Sequence, residues 1–147
     1  MSNTPETEAF LADVADRYQD AERALHNGDP APRMALWSRA DPLTLYGADK
    51  NAQGWPEIEP VFRWLGHTFT HCTAYRNEIV AAEARGDLAY LVAREHIAVS
   101  VQGAPQDFLL RVTTIFRRED GEWKIVHRHG DPATPSPLLG GAPNDPA

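Results

Sequence analysis

Cysteine is almost absent from this sequence, and positive charge is scarce. The 147 residues include one cysteine, Cys72, which excludes an internal disulfide framework and a cluster of thiolate metal ligands. We therefore expect a reducing compartment, the cytoplasm. The 14 Lys and Arg residues are outnumbered by 21 Asp and Glu residues, for a net charge of -7. Such a chain repels a phosphate backbone, so nucleic acid is not an expected partner.

Long apolar runs are also missing. The amino-terminal residues MSNTPETEAF are polar and acidic, whereas a signal peptide is basic and then apolar. No segment approaches the roughly 20 apolar residues that a membrane-spanning helix needs. The sequence therefore predicts a soluble protein with no membrane partner. Its 147 residues, 42% of them hydrophobic, suffice for one well-packed domain and are too few for two of ordinary size.

Three helical patterns are present in the first half of the chain. Each pattern starts at a proline that follows a polar, acidic or aromatic residue, namely Pro5, Pro30 and Pro56. Proline lacks a backbone N–H and has a fixed φ, and both properties suit the first turn of a helix. Apolar residues then recur at spacings of three and four. The predicted helices cover about residues 5–27, 30–41 and 55–67, with a short strand over 43–46 and a polar loop over 47–54.

In the second half the period of the apolar residues changes to two, which predicts a four-stranded antiparallel meander. Its strands cover residues 70–84, 88–101, 107–118 and 122–130. Both faces of these strands carry apolar side chains, so we expect the second face to pack on another subunit. Proline and glycine are frequent beyond the last strand. The predicted domain therefore spans 1–131, and 132–147 forms a flexible tail.

The hairpin over 107–131 organises the predicted site. Strict alternation in its returning arm predicts that Trp123, Ile125, His127 and His129 share one face. A binding pocket needs an apolar floor and a more polar mouth. The apolar residues of this face would form the floor, and the two imidazoles that follow them would form the mouth.

We hypothesise a polar cluster facing a cavity, in which a histidine moves a proton, Glu95 holds its tautomer and Arg111 or Tyr46 stabilises an oxyanion. The predicted catalytic residues are thus His127, His129, Arg111, Tyr46 and Glu95. Alternatively, the histidines are ordinary sheet-end residues, and Glu95 and Arg111 form a cross-strand ion pair. A metal site with His96 as third ligand lacks the expected spacing, so no metal is predicted.

Aromatic side chains are a further candidate for the pocket. Tyr18, Trp37, Trp55 and Trp64 could line an apolar site for a ring-bearing ligand. Aromatic residues at helical spacing also occur as simple core residues, and that alternative stays open.

The order of these elements resembles the nuclear transport factor 2-like superfamily, and more closely its SnoaL-like and ketosteroid-isomerase-like branch. The matching residues are Asn27-Gly28-Asp29, Gly54-Trp55 and the stretch RVTTIFRREDGEWKIVHRH over 111–129. The resemblance implies an α+β fold, a cystatin-like roll in which a cone-shaped, curved antiparallel sheet packs on three N-terminal helices. It also implies a pocket inside the cone and a homodimer through the convex face of the sheet.

Steroid isomerases of that branch use an aspartate base, with a tyrosine and a protonated acid at the enolate oxygen. The resemblance places Leu45 or Tyr46, Ala21 and Thr114 near these positions, and none is a carboxylate, so that chemistry is not expected; Thr114 is kept as a ligand-binding residue. We predict a small-molecule pocket protein: an isomerase, cyclase or dehydratase that acts on an apolar carbonyl compound without a cofactor. The alternative is a non-catalytic ligand-binding or assembly domain of the same fold.

Overall fold

A computed structural model describes residues 3–47 and 50–133 as an α+β fold. The elements in chain order are α1 (Pro5–Leu25), α2 (Ala31–Leu36), β1 (Thr44–Tyr46), β2 (Asn51–Gln53), α3 (Trp55–Thr68), β3 (Phe69–Arg85), β4 (Leu88–Val101), β5 (Ala104–Glu119) and β6 (Glu122–Pro132). None of the helices in these ranges combines the length and apolarity that crossing a membrane requires.

Helix α1 forms where the sequence predicts it, because its start is capped and one side is apolar. The Thr4 hydroxyl accepts a hydrogen bond from the Thr7 backbone N–H at 3.1 Å, which satisfies a donor that the helix start leaves free. A stripe of buried residues follows and packs α1 on the sheet: Phe10, Val14, Tyr18, Ala21 and Leu25.

One curved sheet contains all six strands, in the order β2-β1-β6-β5-β4-β3. The predicted antiparallel meander is confirmed as β3 to β6. Strand β1 adds to it in parallel beside β6, and β2, which lies inside the predicted polar loop, pairs with β1. The pairing of β1 with β6 brings a segment from the first third of the chain beside its last described strand.

The two faces of this sheet are named from β4. The inner face carries Ala89, Leu91, Ala93, Glu95 and Ile97, all buried. The outer face carries Tyr90, Val92, Arg94 and His96, which alternate with them. The main core lies between the inner face and the helices.

Strand β6 changes face in its middle, and this overturns one prediction. Ile125 pairs with Phe116 and His127 pairs with Ile115, which leaves Val126 as an extra residue, a β-bulge. Before the bulge, Ile125 is buried in the core; after it, Arg128 and not His127 points inward and is buried. The prediction that His127 and His129 share the face of Trp123 and Ile125 is therefore wrong.

The predicted tail falls mostly outside the described residues, since the description ends at residue 133. The domain boundary at 131 stays a prediction.

Candidate functional site

A cavity of about 190 Å³ lies between the end of α1, α3 and the inner face of the sheet. Its walls are mostly apolar and include Leu25, Val61, Leu65, Phe69, Ile97 and Leu110. The polar side chains in the same wall are His26, Arg33, Lys50, Thr68 and Arg128. An apolar pocket with a few polar groups is the usual form of a small-molecule site.

His26 occupies this wall because it follows the last residue of α1, and it is only 4% exposed. Its Nδ1 lies 2.6 Å from the backbone carbonyl oxygen of Glu22. A carbonyl only accepts, so Nδ1 donates, and in the neutral ring Nε2 then carries the free electron pair. The ring stacks on Phe69, with 4.6 Å between centroids. Among residues 3–47 and 50–133, Nε2 has no hydrogen-bond partner.

Arg33 reaches the cavity from α2 and is held by Glu22 of α1. Its Nε donates to Glu22 Oε2 at 2.7 Å, and its Nη2 donates to Oε1 of the same carboxylate. Both side chains are almost completely buried. This two-point contact fixes the plane of the guanidinium.

Arg128 enters from β6 and is held by Glu95 of β4. Its Nη1 and Nη2 donate to the two Glu95 carboxylate oxygens at 2.9 and 3.1 Å. The Tyr18 hydroxyl accepts from Arg128 Nη1 and donates to Glu95 Oε2 at 2.7 Å. Thr114 lies 3.4 Å from the same hydroxyl. Arg128 Nη2 is also 3.7 Å from Glu22, so the two ion pairs form one network.

The charges of this network decide which groups are ionised. Burial favours neutral Glu22, but the positive charges of Arg33 and Arg128 outweigh it and lower the Glu22 pKa to about 2. Burial lowers the His26 pKa below its ordinary value of 6.5, against the opposing effect of Glu22. Burial raises the Tyr18 pKa well above 10.0. At neutral pH the site therefore presents two guanidiniums beside a neutral imidazole and a neutral phenol.

None of the five predicted catalytic residues lines the cavity, and four of them lie on the outer face of the sheet. Tyr46, His127 and His129 form an aromatic group on the outer face, with Tyr46 5.7 and 5.6 Å from the two imidazoles between ring centroids. Arg111 is also on the outer face, where its Nε is 3.2 Å from Asp131. Glu95 does point inward, but it contacts Arg128 and not Arg111. The predicted cluster, and the alternative Glu95–Arg111 pair, are wrong because the bulge and the register place these side chains on opposite faces.

Of the predicted ligand-binding residues, Trp64 lines the cavity. The others do not contact it: Tyr18 and Thr114 belong to the Arg128 network, and Trp37 and Trp55 pack in the core. Trp37 is a buried core residue, and Trp55 is half-buried and packs against the core.

The sequence interpretation missed His26, Glu22, Arg33 and Arg128. One signal was available for two of them. Tyr18, Glu22 and His26 are spaced by four residues, which puts a carboxylate and an imidazole on the buried stripe of α1. Arg128 gave no such signal, because strict alternation placed it on the wrong face.

No three His, Cys, Asp or Glu side chains converge as metal ligands in the part of the chain that the structure describes. The groups with free polar atoms in the cavity are a proton acceptor and N–H donors, which suit an organic ligand.

Comparison with known proteins agrees with this architecture. A family model for the SnoaL-like domain matches residues 14–135. A search of the curated proteins finds no match.

Several solved structures are similar in fold. A provisionally named dehydratase of the NTF2-like family from Streptomyces avermitilis has a TM-score of 0.69 at 19% identity, over 88% of this chain and 98% of that chain. An NTF2-like protein of unknown function from Pseudomonas putida has a TM-score of 0.68 at 19% identity, over 92% and 91%. The association domain of C. elegans CaMKII has a TM-score of 0.65 at 15% identity, over 87% and 99%. At these identities the likeness shows the fold alone.

Proposed function

The chain belongs to the SnoaL-like domain family, and from that premise we propose that it binds a small, mostly apolar carbonyl compound in the cavity and moves a proton on it. One observation carries the proposal: His26, Arg33 and Arg128 cluster around Glu22 and all three line the same mostly apolar cavity, where they form a polar corner.

The size of the cavity limits the ligand. Its volume of about 190 Å³ is below the roughly 300–1,000 Å³ of sites for drug-sized molecules. A single ring or a short chain fits this space better than a fused polycyclic compound. Apolar walls favour such a ligand by removing its surface from water.

The polar corner supports acid–base chemistry. Nε2 of His26 takes a proton from the carbon next to the carbonyl, and the electron pair of that C–H bond moves onto the carbonyl oxygen. The enolate oxygen accepts a hydrogen bond from Arg33 or Arg128, which stabilises its negative charge. Nothing else is consumed, so this step needs no cofactor.

The fate of the enolate sets the reaction. In isomerisation, His26 returns the proton to another carbon. In dehydration, it gives the proton to a hydroxyl on the β-carbon, which leaves as water while the enolate electron pair forms the new C=C bond. In cyclisation, the enolate carbon attacks a second carbonyl, and the resulting alkoxide takes the proton from His26. The name of the Streptomyces avermitilis neighbour agrees with the second outcome. His26 replaces His127 and His129 as the proposed acid–base residue.

The test uses cyclohex-3-en-1-one in D₂O. We expect the protein to catalyse deuterium uptake beside the carbonyl, measured by NMR, and formation of the conjugated enone, measured by ultraviolet absorbance. His26→Gln removes the base and is expected to lower both rates about 100-fold or more. His26→Phe keeps a ring to stack on Phe69 and is expected to lose the same activity. Wild-type rates in both variants would refute the role of His26.

A second candidate is a non-catalytic assembly domain, and one observation favours it. The outer face exposes large apolar side chains in water, namely Tyr46, Val80, Tyr90 and Leu109, which are 47%, 57%, 40% and 37% exposed. Such a patch suits a homodimer through this face, and a neighbour of this fold is an association domain. A homodimer contact on the outer face is also compatible with a catalytic cavity, because the two use opposite faces of the sheet.

A further inference from the structure

The ionisable side chains in the cavity wall are all potential cations. They are His26, Arg33, Lys50 and Arg128, and no Asp or Glu lines the cavity among the described residues. The positive groups in the cavity wall contrast with the chain as a whole, which carries a net charge of -7. A cavity lined by one sign of charge inside a protein of the other sign attracts ligands selectively.

The positive charges in the cavity wall differ in their partners. Arg33 and Arg128 are each balanced by a buried carboxylate, Glu22 and Glu95. Lys50 forms no ion pair with any residue in 3–47 and 50–133. Its charge is therefore the one that the described part of the site leaves available to a ligand.

Lys50 is held at the exposed rim of the cavity by two contacts. Its backbone carbonyl accepts a hydrogen bond from the Gly47 N–H at 2.8 Å. Its ammonium lies 4.9 Å from the centre of the Trp64 ring, and Trp64 is 40% exposed. A cation over an aromatic face is attracted by the ring. Lys50 and Trp64 thus combine a positive charge and an apolar surface at one rim.

We infer that the ligand is an apolar carboxylic acid, bound with its carboxylate at Lys50 on the rim and its apolar body in the cavity. The inference rests on the proposed function and names its ligand class. The far end of such a molecule reaches the polar corner of His26, Arg33 and Arg128, where N–H donors and a single acceptor favour a carbonyl group. The ligand class that fits both ends is a short apolar oxo acid.

The experiment compares three probes of equal chain length by isothermal titration calorimetry: octanoate, octan-1-ol and octylamine. We expect octanoate to bind most tightly and octylamine most weakly. Lys50→Gln is expected to weaken the binding of octanoate about fivefold, as for a partly exposed ion pair, and to leave the binding of octan-1-ol unchanged. Lys50→Glu should weaken octanoate further. Added salt should weaken the binding of octanoate and leave the binding of octan-1-ol unchanged.

The matched control is Arg63→Gln, which removes one positive charge from α3 at an exposed side chain that does not line the cavity. It should leave octanoate binding within twofold of wild type. Equal binding of octanoate and octan-1-ol, or equal weakening of both by Lys50→Gln, overturns the carboxylate inference and keeps the pocket. Failure of every probe to bind overturns the proposed function and this inference with it.

Discussion

Glu22 is the residue that makes the polar corner possible. Its carboxylate binds Arg33 at two points and lies 3.7 Å from Arg128, while its carbonyl accepts from His26. One residue of α1 thus positions a side chain from α2, one from β6 and the proposed base. Removal of one partner from a buried ion pair is costly, because the remaining charge stays in the interior.

We therefore predict that Glu22→Gln lowers the free energy of unfolding by about 3 kcal/mol or more, measured by urea denaturation at pH 7. The Glu22 pKa is about 2 in the folded state against an ordinary 4.5. Its stabilisation is thus complete above pH 4.5 and is lost as the pH falls toward 2. The difference between wild type and variant should shrink over that range. Asp16→Asn, at an exposed position of α1, serves as the control, and an equal effect of both changes would contradict the prediction.

The protonation of His26 gives a second prediction at this scale. Burial lowers its pKa below 6.5, Arg33 lowers it further, and Glu22 and Glu95 oppose them. Because the unfolded chain takes up this proton more readily, stability should decline as the pH falls below 6.5 and stay constant above it. Proton-abstraction activity follows the lower pKa of the folded state, so it should decline only at a pH below that at which stability begins to fall. An NMR titration of the imidazole, assigned with His26→Gln, measures the pKa. A value above 6.5 would contradict the geometry described here.

At the scale of elements, the bulge in β6 determines the face of every side chain beyond it. The inward positions change from Trp123 and Ile125 to Arg128 and Gly130 across the extra residue Val126. Without this extra residue, strict alternation would place His127 where Arg128 now meets Glu95. A one-residue slip exchanges faces because the side-chain period of a strand is two.

This placement predicts that His127→Gln and His129→Gln leave turnover of cyclohex-3-en-1-one and binding of octanoate within twofold of wild type. Both imidazoles lie outside the cavity, beside Tyr46. The matched comparison is His26→Gln in the same assays, which removes an imidazole from the inner side. Removal of a general base is expected to lower the turnover rate about 100-fold. A decrease of that size in either outer-face variant would support the original hypothesis that His127 or His129 moves the proton.

At the scale of the whole molecule, the sheet has two apolar faces and the helices cover one. The outer face keeps Tyr90 and Val80 in water, at 40% and 57% exposure. Burial of such side chains against a second copy is favourable by roughly 25 cal/mol per Å² of apolar surface. In a dimer with a twofold axis, each copy would cover the outer face of the other.

We predict that the protein sediments at twice its chain mass of 16.3 kDa at micromolar concentration. Tyr90→Arg should convert it to the monomer, because the new charge would be buried in the interface without a partner. Ala12→Arg introduces the same charge on the exposed side of α1 and should leave the dimer intact. A monomeric wild-type protein in analytical ultracentrifugation would rule out the homodimer.

The sequence by itself determined the fold class and the described elements other than β2, which lies in a segment predicted as a loop. The proline at the start of α1, the apolar stripe that follows it and the alternation in β4 are local patterns, and each predicted an element that the structure contains. The resemblance of residues 111–129 to SnoaL-like proteins pointed to the correct family. These features depend on neighbours a few residues apart, which a sequence displays directly.

Only the tertiary structure decided the candidate site. Whether β6 contains an extra residue depends on its pairing with β5, and the approach of Arg33 and Arg128 to Glu22 depends on how α1, α2 and the sheet pack together. Glu95 shows the limit clearly: its inward direction was predicted, but its partner was not, because Arg128 lies 33 residues away. Periodicity specifies the faces of a single regular element, whereas contacts across the core depend on register and packing.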